Sequence, residues 1–258
     1  MKDTLYLLRD PDTFFDCVRR TRFGRAQGGW LALLSVVCLS IFGFVTGLAH
    51  SPWQALSSAV KMPILAIGAG LLCLPALYLF ALMLGTRLGI AQVAAVVLAG
   101  VCVMSILLLG LAPVVLTFAL TSHSYPFFQL LIVGSVALSG CVGLYYLWRG
   151  MERINLFERG SDTLKRGLMG GWLILYGFVT SQLAWRLSPF VGNPAQPFVF
   201  LQPSHDNLYV DVVHAVENAL GLPRPLWSAP PVWAAGLCLL PLILLVVGTG
   251  LAAHAEER

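Results

Sequence analysis

The chain has 258 residues, 58% of them hydrophobic and 11% charged, with a mean hydropathy of +0.81 and a formal net charge of +4. Charged residues make up about 25% of an ordinary soluble domain, so this composition excludes one and describes a single polytopic membrane domain over 1–258. The positive charge follows from how cations are shared between the two sides of a membrane, and nucleic acid is not an expected partner.

Residues 1–28 are polar and charged, and the apolar run that follows is longer than a signal-peptide core, so a cytoplasmic arm is expected there. Asp10-Pro11 reads as an N-cap followed by an N1 proline. Phe14, Phe15 and Val18 then form an apolar face, with Arg19, Arg20, Arg22 and Arg25 behind it. This predicts a short interfacial helix with its cations at an anionic inner leaflet, serving to anchor and orient the chain or to dock a cytoplasmic partner.

About 20 apolar residues cross a bilayer core. Six such spans are expected, at 30–49, 62–84, 90–111, 127–148, 168–185 and 232–253, and their interiors lack Asp, Glu, Lys, Arg and His. After the third, the apolar run continues past Pro113, where the helix is expected to kink or end. Residues 114–121 then form an interfacial or re-entrant piece, or a seventh span. Of the sixteen Lys and Arg residues, Lys61, Arg186 and Arg224 fall on one side of this arrangement and the other thirteen on the opposite side. The positive-inside rule therefore places both termini in the cytoplasm.

Small residues recur at four-residue spacing: Gly43 and Gly47 in the first span, Ala91, Ala95 and Ala99 in the third, Ser135, Ser139 and Gly143 in the fourth. Such stripes let helix backbones approach closely, within the chain or against another membrane protein.

Residues 187–231 form the longest polar stretch, an extracytoplasmic loop. Arg186, one turn after Gln182, immediately precedes it, and Pro189, Phe190, Gly192, Pro194, Pro197 and Phe198 follow within it. The prolines and the glycine impose an extended, turning backbone, and the phenylalanines need cover. These seven residues are the candidate partner-binding set, the other reading being a structural plug or lid. Next, Leu208, Tyr209, Val212, Val213, Val216, Ala219 and Leu220 recur at helical period, closed by Gly221 and Pro223, which predicts an amphipathic helix on the outer membrane surface. Asp211 and His214 share its polar face, with His205 nearby. Their spacing is that of a solvated face, and no metal site is assigned.

Five of the six cysteines lie in apolar runs and Cys17 in the arm, without zinc or disulfide spacing, so they are read as small packing residues. His50, His123 and His254 sit at span ends, which disfavours haem or pigment ligation, and no cofactor is expected. The chain contains no P-loop, GxSxG, HExxH or acidic pair within a span, so no catalytic residue is assigned.

Arg9-Asp10-Pro11-Asp12-Thr13-Phe14-Phe15, then Leu74-Pro75-Ala76-Leu77-Tyr78, Leu111-Ala112-Pro113, and the 185–198 segment followed by Asn207-Leu208-Tyr209 occur in this order. Together they resemble a group of bacterial multi-pass membrane proteins described as Yip1-like, some of them labelled actin-binding. The resemblance covers nearly the whole chain and implies partners in membrane organisation or trafficking, with no catalytic residues. In that group an arginine often directly precedes Pro-Phe, whereas here Ser188 does and Arg186 lies two residues earlier.

The expectation is therefore an all-α membrane helix bundle of about six spans, with an N-terminal interfacial helix and an extracytoplasmic amphipathic helix. Its expected role is a non-enzymatic scaffold or assembly subunit of the bacterial inner membrane, in contact with lipids and with another membrane protein or a second copy of itself. The alternative is a permease subunit or a transporter of lipid or apolar substrate, for which Pro75 and Pro113 would break helices at a binding site.

Overall fold

Local signals account for where each helix starts and stops. Asp10 caps α1 (Pro11–Arg19): its carboxylate accepts from the Thr13 backbone N–H and, at 2.6 Å, from the Thr13 hydroxyl. Then follow α2 (Arg25–Leu48), α3 (Pro52–Met83), α4 (Ile90–Thr121), α5 (Tyr125–Arg153) and α6 (Asp162–Leu187). The computed structural model describes residues 7, 9–20, 25–49, 51–121, 125–157 and 161–187, and every regular element among them is helical. Five of these helices, α2 to α6, are long and apolar enough to cross a membrane. The expected sixth span at 232–253 and the amphipathic helix at 207–220 lie outside the described residues.

Two spans differ from expectation. The second span, α3, begins at Pro52 rather than at residue 62, because Ser51 caps it, accepting from the Gln54 N–H at 3.2 Å, and Pro52 takes the N1 position. With 32 residues it is about 48 Å long, more than a bilayer core requires. Lys61, expected outside the span, therefore lies within this helix, and it is 1% exposed. The second difference is at Pro113, which neither ends nor splits the third span: α4 runs unbroken to Thr121. A proline removes one N–H and its bond to the carbonyl four residues back, and a long apolar helix tolerates that loss. Pro63 and Pro75 are likewise inside α3.

Helix α4 is the centre of the bundle, packed on α2, α3 and α5, while α6 leans on α3 and barely touches α5. The core is continuous along α4 but divides into two clusters. One, around Phe42, Met62, Leu108 and Phe128, lies toward the α2–α3 turn. The other, around Phe15, Leu77, Val96, Leu147 and Trp172, lies toward α1. In the second, the fully buried Trp172 donates its indole N–H to the Cys73 carbonyl at 3.0 Å and stacks on Tyr176, tying α6 to α3.

The small-residue stripes seal seams within the chain. A Cβ at Gly43 would strike the Ser58 carbonyl, and one at Gly47 would lie 2.5 Å from the Ala55 Cα, so α2 and α3 touch backbone to backbone. Gly100 of α4 and Gly143 of α5 face one another, each added Cβ falling 3.0 Å from the other's carbonyl oxygen. Ala95, Ala99, Ser135 and Ser139 are buried, while Ala91 is exposed.

Candidate functional site

The helix α1 forms where the sequence predicts it, but its apolar face turns into the protein rather than toward lipid. Phe14, Phe15 and Val18 are buried against α4 and α5. The close fit depends on Gly150, where a Cβ would meet the Phe15 ring at 2.7 Å and Val96 at 2.8 Å. Two ion pairs flank this contact, Asp12–Arg149 and Asp16–Arg153, each at 2.8 Å. Partners on both helices are one turn apart, so the two rungs are met by one packing geometry.

Gln92 joins two helix ends at once. Its Oε1 accepts from the Gly89 N–H at 2.8 Å, satisfying an orphan donor at the start of α4. Its Nε2 donates to the Val18 and Arg19 carbonyls at 2.9 and 3.0 Å, closing the end of α1. Beside it, α3 ends in a Schellman turn: Gly85 has φ 77°, its N–H donates to the Leu82 carbonyl, and the Thr86 N–H donates to that of Ala81. α5 ends the same way, with Asn155 at φ 51°, its N–H bonded to Glu152 and the Leu156 N–H to Met151.

These closures leave a cavity of about 420 Å³ where the end of α1, the α3–α4 turn, the end of α5 and the start of α6 converge. Arg19, Arg87 and Lys165 line it with Gln92 and Asn155, over apolar Leu88, Ile154 and Phe157. Among the described residues that line it, three are cations and none is a carboxylate. In sequence these cations are visible only as part of the charge bias that sets orientation. Residues 19, 87 and 165 are far apart in the chain, so no local spacing marks them as one site.

Of the candidate partner-binding residues, Arg186 lies exposed in the last turn of α6. Pro189, Phe190, Gly192, Pro194, Pro197 and Phe198 lie outside the described residues, as do His205, Asp211 and His214. Among the described residues no group of three or more His, Cys, Asp or Glu could hold a metal ion.

A second polar feature surrounds Lys61. Gln54, Ser57 and Ser58 are buried on the same face of α3, and the Ser57 hydroxyl has no hydrogen-bond partner. Lys61 escapes the cost of facing hydrocarbon because neighbouring helices, not lipid, cover its stem.

The fold thus defines a class: the described residues are all-helical, with five helices long and apolar enough to cross a membrane. No family model, curated protein or solved structure matches this chain.

Proposed function

We propose that this chain is a non-enzymatic multi-pass protein of the bacterial cytoplasmic membrane, with both termini in the cytoplasm. It acts as a scaffold or assembly subunit, in contact with another membrane protein or a second copy of itself. The supporting observation is how the bundle closes. Backbone meets backbone at Gly43, Gly47, Gly100 and Gly143. Seams of this kind interlock, and they oppose the rocking of one helix group past another that alternating access requires. The buried hydroxyls of Ser35, Thr46, Ser105 and Ser135 donate to carbonyls of their own helices. Pro75 and Pro113, which would favour a transporter by breaking helices, lie inside continuous ones.

The partner contact we assign to the segment from Arg186 to Phe198. Purification of the tagged full chain in nanodiscs, followed by mass spectrometry, is expected to recover a stoichiometric partner or a defined homo-oligomer. Substituting Gly192 and Pro194 is expected to release it while membrane insertion is unchanged. A solitary protein that supports substrate flux in proteoliposomes would overturn the scaffold in favour of a transporter.

A further inference from the structure

Helix α3 is inside-out where it leaves the membrane. Residues 62–83 carry no charged or amide side chain, and at about 33 Å they suffice to cross the hydrocarbon core. The turns that precede them, from Pro52, therefore extend about 15 Å further. In those turns Gln54, Ser57, Ser58 and Lys61 are buried, while Trp53, Leu56 and Val60, with Ile64 one turn below, are 50–70% exposed. Beyond the hydrocarbon the usual arrangement is the reverse, so this stripe is a surface in need of an apolar cover. Helix α6 stops too early to supply it. Trp172 bonds the Cys73 carbonyl, and a Cβ at Gly68 would lie 3.6 Å from the Leu183 side chain, so α6 runs antiparallel to α3. Its last residue, Leu187, then stands about level with Ile64, some 18 Å short of Pro52.

We infer that the run 207–220, which lies outside the described residues, docks its apolar face on the stripe of Trp53, Leu56, Val60 and Ile64 instead of lying on lipid. The chain leaves α6 at the foot of this stripe and on the same side of the membrane. The 19 residues 188–206 reach far more than 18 Å, so the run is within range of the whole stripe. Leu208, Val212, Val213 and Val216 recur at helical period, and 14 residues of helix measure about 21 Å, which matches the stripe in length. A second copy fits less well. Four side chains along one helix offer far less than the roughly 1,200 Å² that a stable interface buries, whereas a tethered segment docks at high effective concentration. This docking is independent of the scaffold role and of which way the chain is inserted, since α6 ends on the side where α3 begins.

The test uses the full chain in nanodiscs, with Cys17→Ser removing the exposed native thiol. A water-soluble maleimide reports cover at Leu56→Cys, each rate being referred to the same chain unfolded in detergent. Slow labelling is expected, and about tenfold faster labelling once Val212→Asp/Val216→Asp places two charges on the docking face. Asp211→Asn/Asn218→Asp, on the opposite face, should leave the rate within about twofold. Cys38, Cys73 and Cys102 are buried and should stay unreactive throughout, which reports an intact bundle. A second measurement does not need the aspartate variants to fold. Val60→Cys is paired in turn with Leu208→Cys, Val212→Cys, Val213→Cys and Val216→Cys and oxidised, with Val60→Cys alone as reference. At least one pair is expected to form a disulfide within the monomer, because the four positions cover the apolar face at helical spacing. Fast labelling of Leu56→Cys in the otherwise native chain would overturn the docking. Slow labelling that Val212→Asp/Val216→Asp leaves unchanged would overturn it too. A lipid-soluble maleimide that then reacts identifies lipid as the cover, and disulfides between chains identify a second copy. No disulfide within the monomer from any of the four pairs would overturn it as well.

Discussion

A Cβ added at Gly47 would lie 2.6 Å from the Gln54 carbonyl oxygen as well as against Ala55, and backbone cannot swing aside as a side-chain tip can. Gly47→Ala is therefore expected to lower stability by about 1–3 kcal/mol, as overpacked interiors do. Gly134 and Gly171 have open space where a Cβ would go. Alanine there should be neutral or stabilising by up to about 1 kcal/mol through helix propensity. Thermal unfolding of the three variants in one detergent checks both signs. Asp10 offers a test of pH. Its bonds from Thr13, the side-chain hydroxyl first, hold its carboxyl below the ordinary aspartate value. A depressed carboxylate contributes stability above its unfolded pKa and loses it as pH falls through the folded value. The protection of α1 amides, measured against their intrinsic exchange rates, is thus expected to fall as pH drops below about 4, and Asp10→Asn, which still caps, should reduce that change.

How α1 is held can be decided by magnitude. Its ion pairs are half-exposed, with side-chain exposures of 34–47%, and such pairs contribute about 0–1 kcal/mol each. Burying a side chain such as Phe15 or Val18 contributes about 1.5–3 kcal/mol, so the apolar face holds the helix and the charges select its register. Phe15→Ala should cost about 3–5 kcal/mol locally and expose the amides of α1 to exchange. Asp12→Asn/Asp16→Asn should raise exchange by less than about thirtyfold, the most that two such pairs supply. A larger effect from the aspartates than from Phe15 would reverse the order. At this scale the sequence was informative about the helix, through Asp10-Pro11 and the Phe14, Phe15 and Val18 face, but misleading about its surroundings. An apolar face satisfies itself equally well against lipid or against other helices, and nothing local distinguishes the two.

For the whole molecule, orientation is the property to test, and the cysteines provide the probe. Cys17 on α1 is exposed, Cys38, Cys73 and Cys102 are buried, and Cys141 is partly covered. If α1 faces the cytoplasm, a membrane-impermeant maleimide is expected to modify Cys17 in inverted vesicles and to leave it unmodified in right-side-out ones. Labelling in right-side-out vesicles alone would invert the topology, and with it the leaflet that the basic cavity meets.

The sequence by itself determined that the chain is helical and apolar enough to cross a membrane several times, where α1 is capped, and which stripes of small residues permit close approach. These follow from single side chains and from backbone bonds between residues four apart, which are local. Only the tertiary structure decided that α1 docks on α4 and α5, that Lys61 is buried among helices, and that Arg19, Arg87 and Lys165 surround one cavity. Asp12 and Asp16 show the same four-residue spacing as Arg149 and Arg153, yet that match became a pairing only when Gly150 let Phe15 bring the two helices together. Contacts between distant segments depend on how several helices pack at once, and in a bilayer lipid competes for every apolar face.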